Sequence, residues 1–315
     1  MEHVPANWLI LHGGALGDLV LTIQLALRLP GVVEAGRLQV VSRTNPGDLS
    51  TCRPAVLRQS SEGFGVHWLF SAQDGPAPDR LRNLVRGTRV LNALGKAAHA
   101  RLALLEPAAL YSIDSQPREG STRHITEQWQ SQLEAQGLLV PKCTHQRPAQ
   151  RGLGVPALLR ERGAALLGGK PALIHPGSGG RDKCWPLANF VQVVHQLRAQ
   201  GLAVGFLVGH VELETWPSGT LDRLATEFSI LRSPSPDDLV ASLAAARVLV
   251  GNDAGPTHLA ALLGTPTVTV FGPSAASVWR PLGAGTQTIT GEPRRDRETW
   301  DVQAAQVVSL ALKCL

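Results

Sequence analysis

The sequence predicts an α/β protein of two lobes, each built around a parallel β-sheet. The chain has 315 residues, which is enough for two domains. Short apolar runs alternate along it with segments whose apolar residues have helical spacing. A stretch rich in Pro and Gly, residues 140–156, divides this alternation in two. We therefore expect two Rossmann-like lobes facing a cleft, over residues 1–150 and 151–315.

The first lobe begins with an apolar run, Trp8–His12, which predicts a strand. A glycine-rich turn follows, and then helical spacing from Leu16 to Leu29. Leu38–Ser42 predicts a second strand. Further on the pattern is weaker, and we expect strands at Val66–Phe70 and Arg89–Leu91 and a helix over residues 122–137.

The second lobe has a clearer alternation of elements. Its expected strands are 171–174, 202–208, 228–231, 248–250 and 267–271. Its expected helices are 157–167, 187–200, 236–246 and 256–263. The glycine-rich loops of both lobes follow strands, and ligands of parallel sheets bind beyond the carboxyl ends of strands.

Composition excludes several classes of protein. Hydrophobic residues make up 43% of the chain and the net charge is +5, which is ordinary for a globular protein. The basic residues form no tail or repeated stripe, so nucleic acid is not an expected partner. Four cysteines without a CxxC pair predict neither a zinc site nor a disulfide framework and favour a cytoplasmic location. We find no signal-peptide pattern and no apolar stretch of about 18 residues that could span a membrane.

The first loop, Gly13–Asp18, lets the backbone turn sharply and approach a ligand. It lacks the GxGxxG spacing and an acidic residue about 20 positions on, so dinucleotide binding is a weak interpretation. Asp18 has two interpretations. It is either a helix N-cap or first-turn acid, or a carboxylate that accepts a proton from a hydroxyl group as a general base.

The second loop, 175–186, combines a glycine-dense turn with Ser178, Arg181 and Lys183. Free backbone N–H groups, a hydroxyl and positive charge are the parts of a diphosphate site. Lys183 could instead be a solvated surface lysine. The chain has only five lysines, which favours the functional interpretation.

The third loop, 251–258, carries Asp253 and His258 around the start of a helix. Asp253 could be an N-cap and His258 a core histidine. Alternatively, the N–H groups at this helix start, with Thr257 beside them, would bind phosphate.

Taken together, these loops resemble glycosyltransferase family 9, the ADP-heptose:lipopolysaccharide heptosyltransferases. The matching segments share their order and spacing with the family along nearly the whole chain. They are Ala15–Leu19, the His175-Pro-Gly … Lys183-Cys-Trp-Pro186 block, Gly251–Ala260 and Gly264–Pro273. His12 departs from the pattern, since the family often has Arg near the end of the first strand.

The resemblance implies a GT-B fold, with the acceptor bound mostly by the first lobe and the nucleotide-sugar by the second. It implies inverting transfer of a heptose from ADP-L-glycero-D-manno-heptose to a lipopolysaccharide inner-core sugar, without cofactor. The absence of a DxD-like pair or a His/Cys cluster agrees with a metal-independent site. The implied roles fall on Asp18 as general base, Lys183 at the diphosphate, Glu212 at the ribose, and Asp253, Ala254, Gly255 and His258 in the donor loop. From the residues themselves we add Gly17, Ser178 and Thr257 as substrate-binding candidates.

The segment from Arg80 to Arg101 contains six basic residues and no acid. We expect Arg82, Arg86 and Arg89 to share one helical face. That face is either simply solvated or a surface for a phosphorylated glycolipid acceptor at the cytoplasmic face of the inner membrane. Two other functions stay open: a family member that uses another nucleotide-sugar or glycan acceptor, and a non-catalytic nucleotide-sugar-binding protein.

Overall fold

The computed structural model describes residues 8–71, 75–138, 140, 152–292 and 300–315. The chain divides into two compact units, Met1–Gly154 and Val155–Leu315. The boundary expected from the sequence, between residues 150 and 151, precedes this division by a few residues. Most of the expected linker, 141–151, lies outside the described residues.

The first unit contains a five-stranded parallel sheet with the order β3-β2-β1-β4-β5. Its strands are β1 (Trp8–His12), β2 (Arg37–Ser42), β3 (Ala55–Ser60), β4 (Arg89–Ala93) and β5 (Ala109–Ser112). Its α-helices are α1 (Leu16–Ala26), α2 (Val32–Ala35), α3 (Asp79–Val85), α4 (Lys96–Ala103) and α5 (Ile125–Ala135). The central strand, β1, is buried at all five positions, as its continuous apolar run predicts.

Two expectations for the first unit are wrong. Val66–Phe70 forms a 3-10 helix rather than a strand. It follows Gly65, whose φ of 67° is left-handed, and its buried residues Val66 and Leu69 are three positions apart, which places both on one side of a three-residue turn.

The arginines of this unit do not share one helical face either. Arg82 lies in α3, Arg86 follows the helix and Arg89 begins β4. Arg82 pairs with Asp79 at 3.1 Å and Arg86 pairs with Glu106 at 3.0 Å.

The second unit contains a six-stranded parallel sheet with the order β11-β10-β9-β6-β7-β8. Its strands are β6 (Ala172–His175), β7 (Val204–Val208), β8 (Ser229–Arg232), β9 (Val248–Asn252), β10 (Thr267–Phe271) and β11 (Thr286–Thr290). Its α-helices are α6 (Ala157–Leu167), α7 (Leu187–Ala199), α8 (His210–Thr215), α9 (Thr220–Glu227), α10 (Pro236–Ala245), α11 (Gly255–Leu262), α12 (Ala276–Trp279) and α13 (Ala304–Lys313).

Strand order reverses beside the first strand of each sheet. In the first sheet β1 lies between β2 and β4, and in the second β6 lies between β7 and β9. The carboxyl-end loops of two strands that meet at such a switch point leave room for a ligand between them. In the second sheet His175 is in register with Gly251, so the loops after β6 and β9 start side by side.

Within the described ranges, none of the helices has both the length and the apolar character needed to cross a membrane.

Candidate active site

The loop after β6 carries Ser178 and Lys183. Lys183 closes a short 3-10 turn, Arg181–Lys183, and its side chain is 41% exposed, so a ligand can reach the ammonium group. Ser178 is buried, and its hydroxyl donates to the backbone carbonyl of Asp253 at 2.8 Å. The two sequence-predicted loops are therefore joined by a direct hydrogen bond.

The carboxylate of Asp253 is the centre of this site. Lys183 Nζ donates to its Oδ2 at 2.8 Å, and Ser274 Oγ donates to the same oxygen at 2.7 Å. His258 Nε2 lies 3.5 Å from Oδ1. The Asp253 side chain is only 7% exposed. It is not the N-cap of α11, because that position belongs to Ala254.

The hydrogen-bond partners around Asp253 keep its carboxyl group ionised. Burial alone would raise the pKa of its carboxyl group, because burial disfavours the charged form. The hydrogen bonds with His258, Lys183 and Ser274 outweigh burial and lower the pKa to about 2. At neutral pH the site therefore holds a fixed anion beside a lysine that a ligand can reach.

Asn252, the last residue of β9, holds the two loops in place. Its Nδ2 donates to the carbonyl of Pro176 at 2.7 Å, and its Oδ1 accepts from the backbone N–H of Trp185 at 3.0 Å. Asn252 is fully buried. One amide side chain thus fixes the loop that carries Lys183 at both ends.

The start of α11 contributes backbone groups rather than a free hydroxyl. Ala254 and Gly255 are half-buried there. Thr257 is fully buried, and its Oγ1 lies 2.6 Å from the Ala254 carbonyl and 3.2 Å from that of Asn252. Because this hydroxyl is engaged within the turn, we assign Thr257 to holding the loop instead of the phosphate contact that the sequence suggests.

Glu212 lies in the first turn of α8 and is 3% exposed. Its Oε2 accepts from the Gly209 N–H at 2.7 Å. Its Oε1 faces Gly177, where an added Cβ would come within 1.7 Å. Glu212 is thus packed against the Lys183 loop, next to the other predicted residues of this unit.

Beside this network the surface forms an open depression of about 400 Å³. Its lining consists of Gly180, Arg181, Asp182, Lys183, Pro273 and Ser274. The described residues contain no group of three or more His, Cys, Asp or Glu that could hold a metal ion.

In the first unit, Gly17 and Asp18 lie in the first turn of α1, whose N-cap is Ala15. Asp18 is half-buried. A Cβ on Gly14 would lie 3.1 Å from Asp18 Oδ2 and 3.0 Å from His12 Cε1, so the carboxylate and the imidazole flank the same glycine. His12 is 2% exposed, and burial lowers its pKa to about 4, which makes it neutral at pH 7.

Sequence reasoning missed Asn252 and Ser274. Asn252 is a polar residue at the end of a buried strand, and Ser274 follows Gly272-Pro273 after β10. A polar side chain at the carboxyl end of a parallel strand is the signal that could have pointed to both.

A comparison with known proteins identifies the family. The model of glycosyltransferase family 9 (heptosyltransferase) matches residues 123–303, which is more than half of the chain. The chain belongs to glycosyltransferase family 9. It is therefore a glycosyltransferase-family enzyme. No curated protein sequence matches it significantly.

Solved structures of this family share the fold. A glycosyl transferase family 9 protein from Veillonella parvula superposes with a TM-score of 0.69 at 17% identity, covering 100% of this chain and 98% of that one. The Escherichia coli heptosyltransferase WaaC with ADP gives 0.66 at 19% identity, with 98% and 100% covered. The E. coli ADP-heptose lps heptosyltransferase II gives 0.64 at 17%, with 98% of each chain covered. The two parallel-sheet lobes are those of the GT-B fold.

Proposed function

We propose that this family 9 enzyme transfers a heptose from ADP-L-glycero-D-manno-heptose to an inner-core sugar of lipopolysaccharide, with inversion at the anomeric carbon. The observation that supports this most is the exposed Lys183 ammonium, held 2.8 Å from the buried Asp253 carboxylate at the switch point of the second sheet. A lysine fixed among glycine-rich backbone suits a diphosphate ligand. WaaC has been solved with ADP and with ADP-2-deoxy-2-fluoro heptose.

In the proposed mechanism Asp18 is the general base. It takes the proton from an acceptor hydroxyl as that oxygen bonds to the anomeric carbon, and the bond from this carbon to the diphosphate oxygen breaks on the opposite face. The nucleoside diphosphate leaves with the electron pair of the broken bond. A single displacement of this kind inverts the anomeric configuration.

The leaving diphosphate develops negative charge, and we propose that Lys183 and the N–H of Gly255 at the start of α11 stabilise it. These groups supply the positive charge that a divalent ion supplies elsewhere, so we propose a metal-independent reaction. Ser178 holds the Asp253 backbone in this scheme. Glu212 contacts the ribose, and Asp253, Ala254 and His258 form the donor loop.

We further propose that the acceptor is a glycolipid, which would bring a cytoplasmic enzyme to the cytoplasmic face of the inner membrane. The arginine-rich segment offers no single helical face for this encounter, because its arginines lie in different elements.

A donor panel followed by turnover tests the proposal. We expect ADP-heptose to raise the thermal midpoint of the protein more than UDP-sugars or GDP-sugars do. We expect turnover with an inner-core acceptor, and NMR of the product should show the anomeric configuration opposite to that of the donor. Preference for another nucleotide-sugar would indicate a different donor, and binding without turnover on any glycan acceptor would indicate a non-catalytic protein.

A further inference from the structure

Ser274 shares one oxygen of Asp253 with Lys183. The hydroxyl of Ser274 lies 2.7 Å from Asp253 Oδ2, and the ammonium of Lys183 lies 2.8 Å from the same atom. Ser274 belongs to neither the second nor the third glycine-rich loop. It follows β10, is half-buried, and lines the open depression together with Lys183.

The backbone that presents Ser274 is firmly packed. An added Cβ on Gly272 would come within 2.1 Å of the ring of Trp300, so the indole lies directly against the glycine. Trp300 is 4% exposed and belongs to the core of the second unit. Pro273 then restricts φ immediately before the serine. The Ser274 hydroxyl therefore donates to Asp253 from a turn that packs against the core.

A diphosphate ligand would compete with Asp253 for Lys183. The more the ammonium turns toward a diphosphate, the less it compensates the buried carboxylate, and a buried charge without donors is costly. The partner that stays on Oδ2 is Ser274, since His258 approaches the other oxygen at 3.5 Å. Hydrogen bonds to charged groups are stronger than those between neutral groups, so the one from the Ser274 hydroxyl contributes to holding the buried carboxylate.

We propose that Ser274 is a positioning residue of the donor site, which keeps Asp253 in place when Lys183 moves from this carboxylate to the diphosphate of the donor. The inference rests on the proposed function, because it requires a ligand with a diphosphate. It predicts a specific pattern: Ser274 matters for ligands that draw Lys183 away and does not matter for ligands that leave it on Asp253.

Calorimetric titration of ADP and of AMP into the full-length protein tests this pattern. AMP has the same nucleoside but lacks the second phosphate. We expect Ser274→Ala to weaken ADP binding roughly tenfold or more, the size typical of a hydrogen bond to a charged group, and to change AMP binding less than about twofold. Ser274→Thr, which keeps the hydroxyl, should restore ADP binding. Ser274→Cys, with a weak donor of similar volume, should behave like the alanine variant.

Two further variants make the test specific. In an Asp253→Asn background, Ser274→Ala should have no additional effect on ADP affinity, because the carboxylate through which it acts is gone. The matched control is Ser235→Ala, which removes a hydroxyl that donates to Asp238 Oδ2 at 2.8 Å on α10. This control should bind ADP and AMP like the wild type.

The outcomes separate the inference from the proposed function. Equal ADP affinity of Ser274→Ala, Ser274→Cys and wild type overturns the inference, as does an equal loss for ADP and AMP, which would show a merely structural role. A wild-type protein that binds neither ADP nor ADP-heptose overturns the proposed function instead.

Discussion

The carboxylate of Glu212 lies against the backbone of Gly177, so that a methyl group on residue 177 would come within 1.7 Å of Oε1 and 2.1 Å of Cδ. Glu212 cannot simply turn away, because its other oxygen accepts from the Gly209 N–H at 2.7 Å. Gly177 is therefore required for space rather than for a left-handed φ. It couples α8 to the loop that carries Lys183.

Gly177→Ala should destabilise the second unit by about 1–3 kcal/mol, the usual cost of overpacking a closed site. We expect the thermal midpoint to fall by several degrees. The matched control is Gly179→Ala in the same loop, where an added Cβ meets nothing within 4 Å. The double change Gly177→Ala/Glu212→Ala should recover part of the loss, and equal midpoints for the two single variants would contradict the coupling.

Asp18→Asn should abolish most of the turnover while leaving the donor bound. Loss of a general base typically lowers kcat by about 10²–10⁴, and the amide keeps the size of the side chain. Steady-state rates with ADP-heptose, together with ADP titrations, measure the two quantities. Asp79→Asn removes a first-turn acid from α3 and should keep full activity. Undiminished turnover of Asp18→Asn would exclude the assigned role.

Lys183→Gln should weaken donor binding and slow the reaction together, because in the proposed mechanism the ammonium contacts the diphosphate in both the ground and the transition state. A loss of about 10²–10³ in kcat/KM is the size expected for one strong electrostatic contact. Lys170→Gln is the control, since Lys170 precedes β6 at the opposite end of that strand. A defect confined to the KM of the acceptor would show that Lys183 does not lie at the donor.

His12 makes the first unit sensitive to mild acid. Its pKa is lowered to about 4 by burial, from an ordinary value of 6.5. Below pH 6.5 the His12 imidazole is protonated in the unfolded chain, whereas in the folded protein it stays neutral down to about pH 4. The free energy of unfolding therefore falls as the pH is lowered across this window. The loss should be on the order of 3 kcal/mol for this group.

Urea unfolding of His12→Gln at pH 7, 5.5 and 4.5 measures this contribution. We expect the unfolding free energy of the variant to depend less on pH than that of the wild type over this interval. His67→Gln, at an exposed histidine, serves as the control and should keep the wild-type pH dependence. Parallel curves for wild type and His12→Gln would refute the assignment.

Charge reversal at both Arg82 and Arg86 should leave binding to anionic vesicles unchanged. Arg82 is half-buried and Arg86 is exposed, each pairs with an acid, and they lie in different local structures. Surface ion pairs of this kind contribute little to the stability of the protein. Vesicle sedimentation with and without inner-core glycolipid is the measurement, and a clear loss of binding would restore the arginine surface expected from the sequence.

The strands that the sequence predicts well are the buried ones. β1, β9 and β10 are buried along their whole length, and their continuous apolar runs show it. The strands that it misses, β3, β5 and β11, have only one buried position among them, Val56, and their other positions are half-buried or exposed. Their sequences carry no strong periodic signal, and their place in the sheet comes from pairing with a neighbour that is distant along the chain.

The candidate site likewise divides into features that the sequence could predict and features that it could not. Lys183, Ser178 and Asp253 could be chosen from the sequence because each stands in a glycine-rich loop that follows a strand. What the sequence could not predict is that Ser274 and Lys183 converge on one oxygen of Asp253. The helical face expected for Arg82 and Arg86 failed for a related reason, since α3 ends at Val85.

Lys183 and Asp253 are 70 residues apart along the chain, yet they extend from strands that are immediate neighbours in the sheet. Between them the chain must first complete β7 and β8 and return to the other side of β6. Contacts with such a long separation require a large loop to close, which slows folding. A second unit in which β6 and β9 have not paired would lack this ion pair, and under the proposed function the fraction of a preparation that binds nucleotide would measure the fraction in which these two strands have paired.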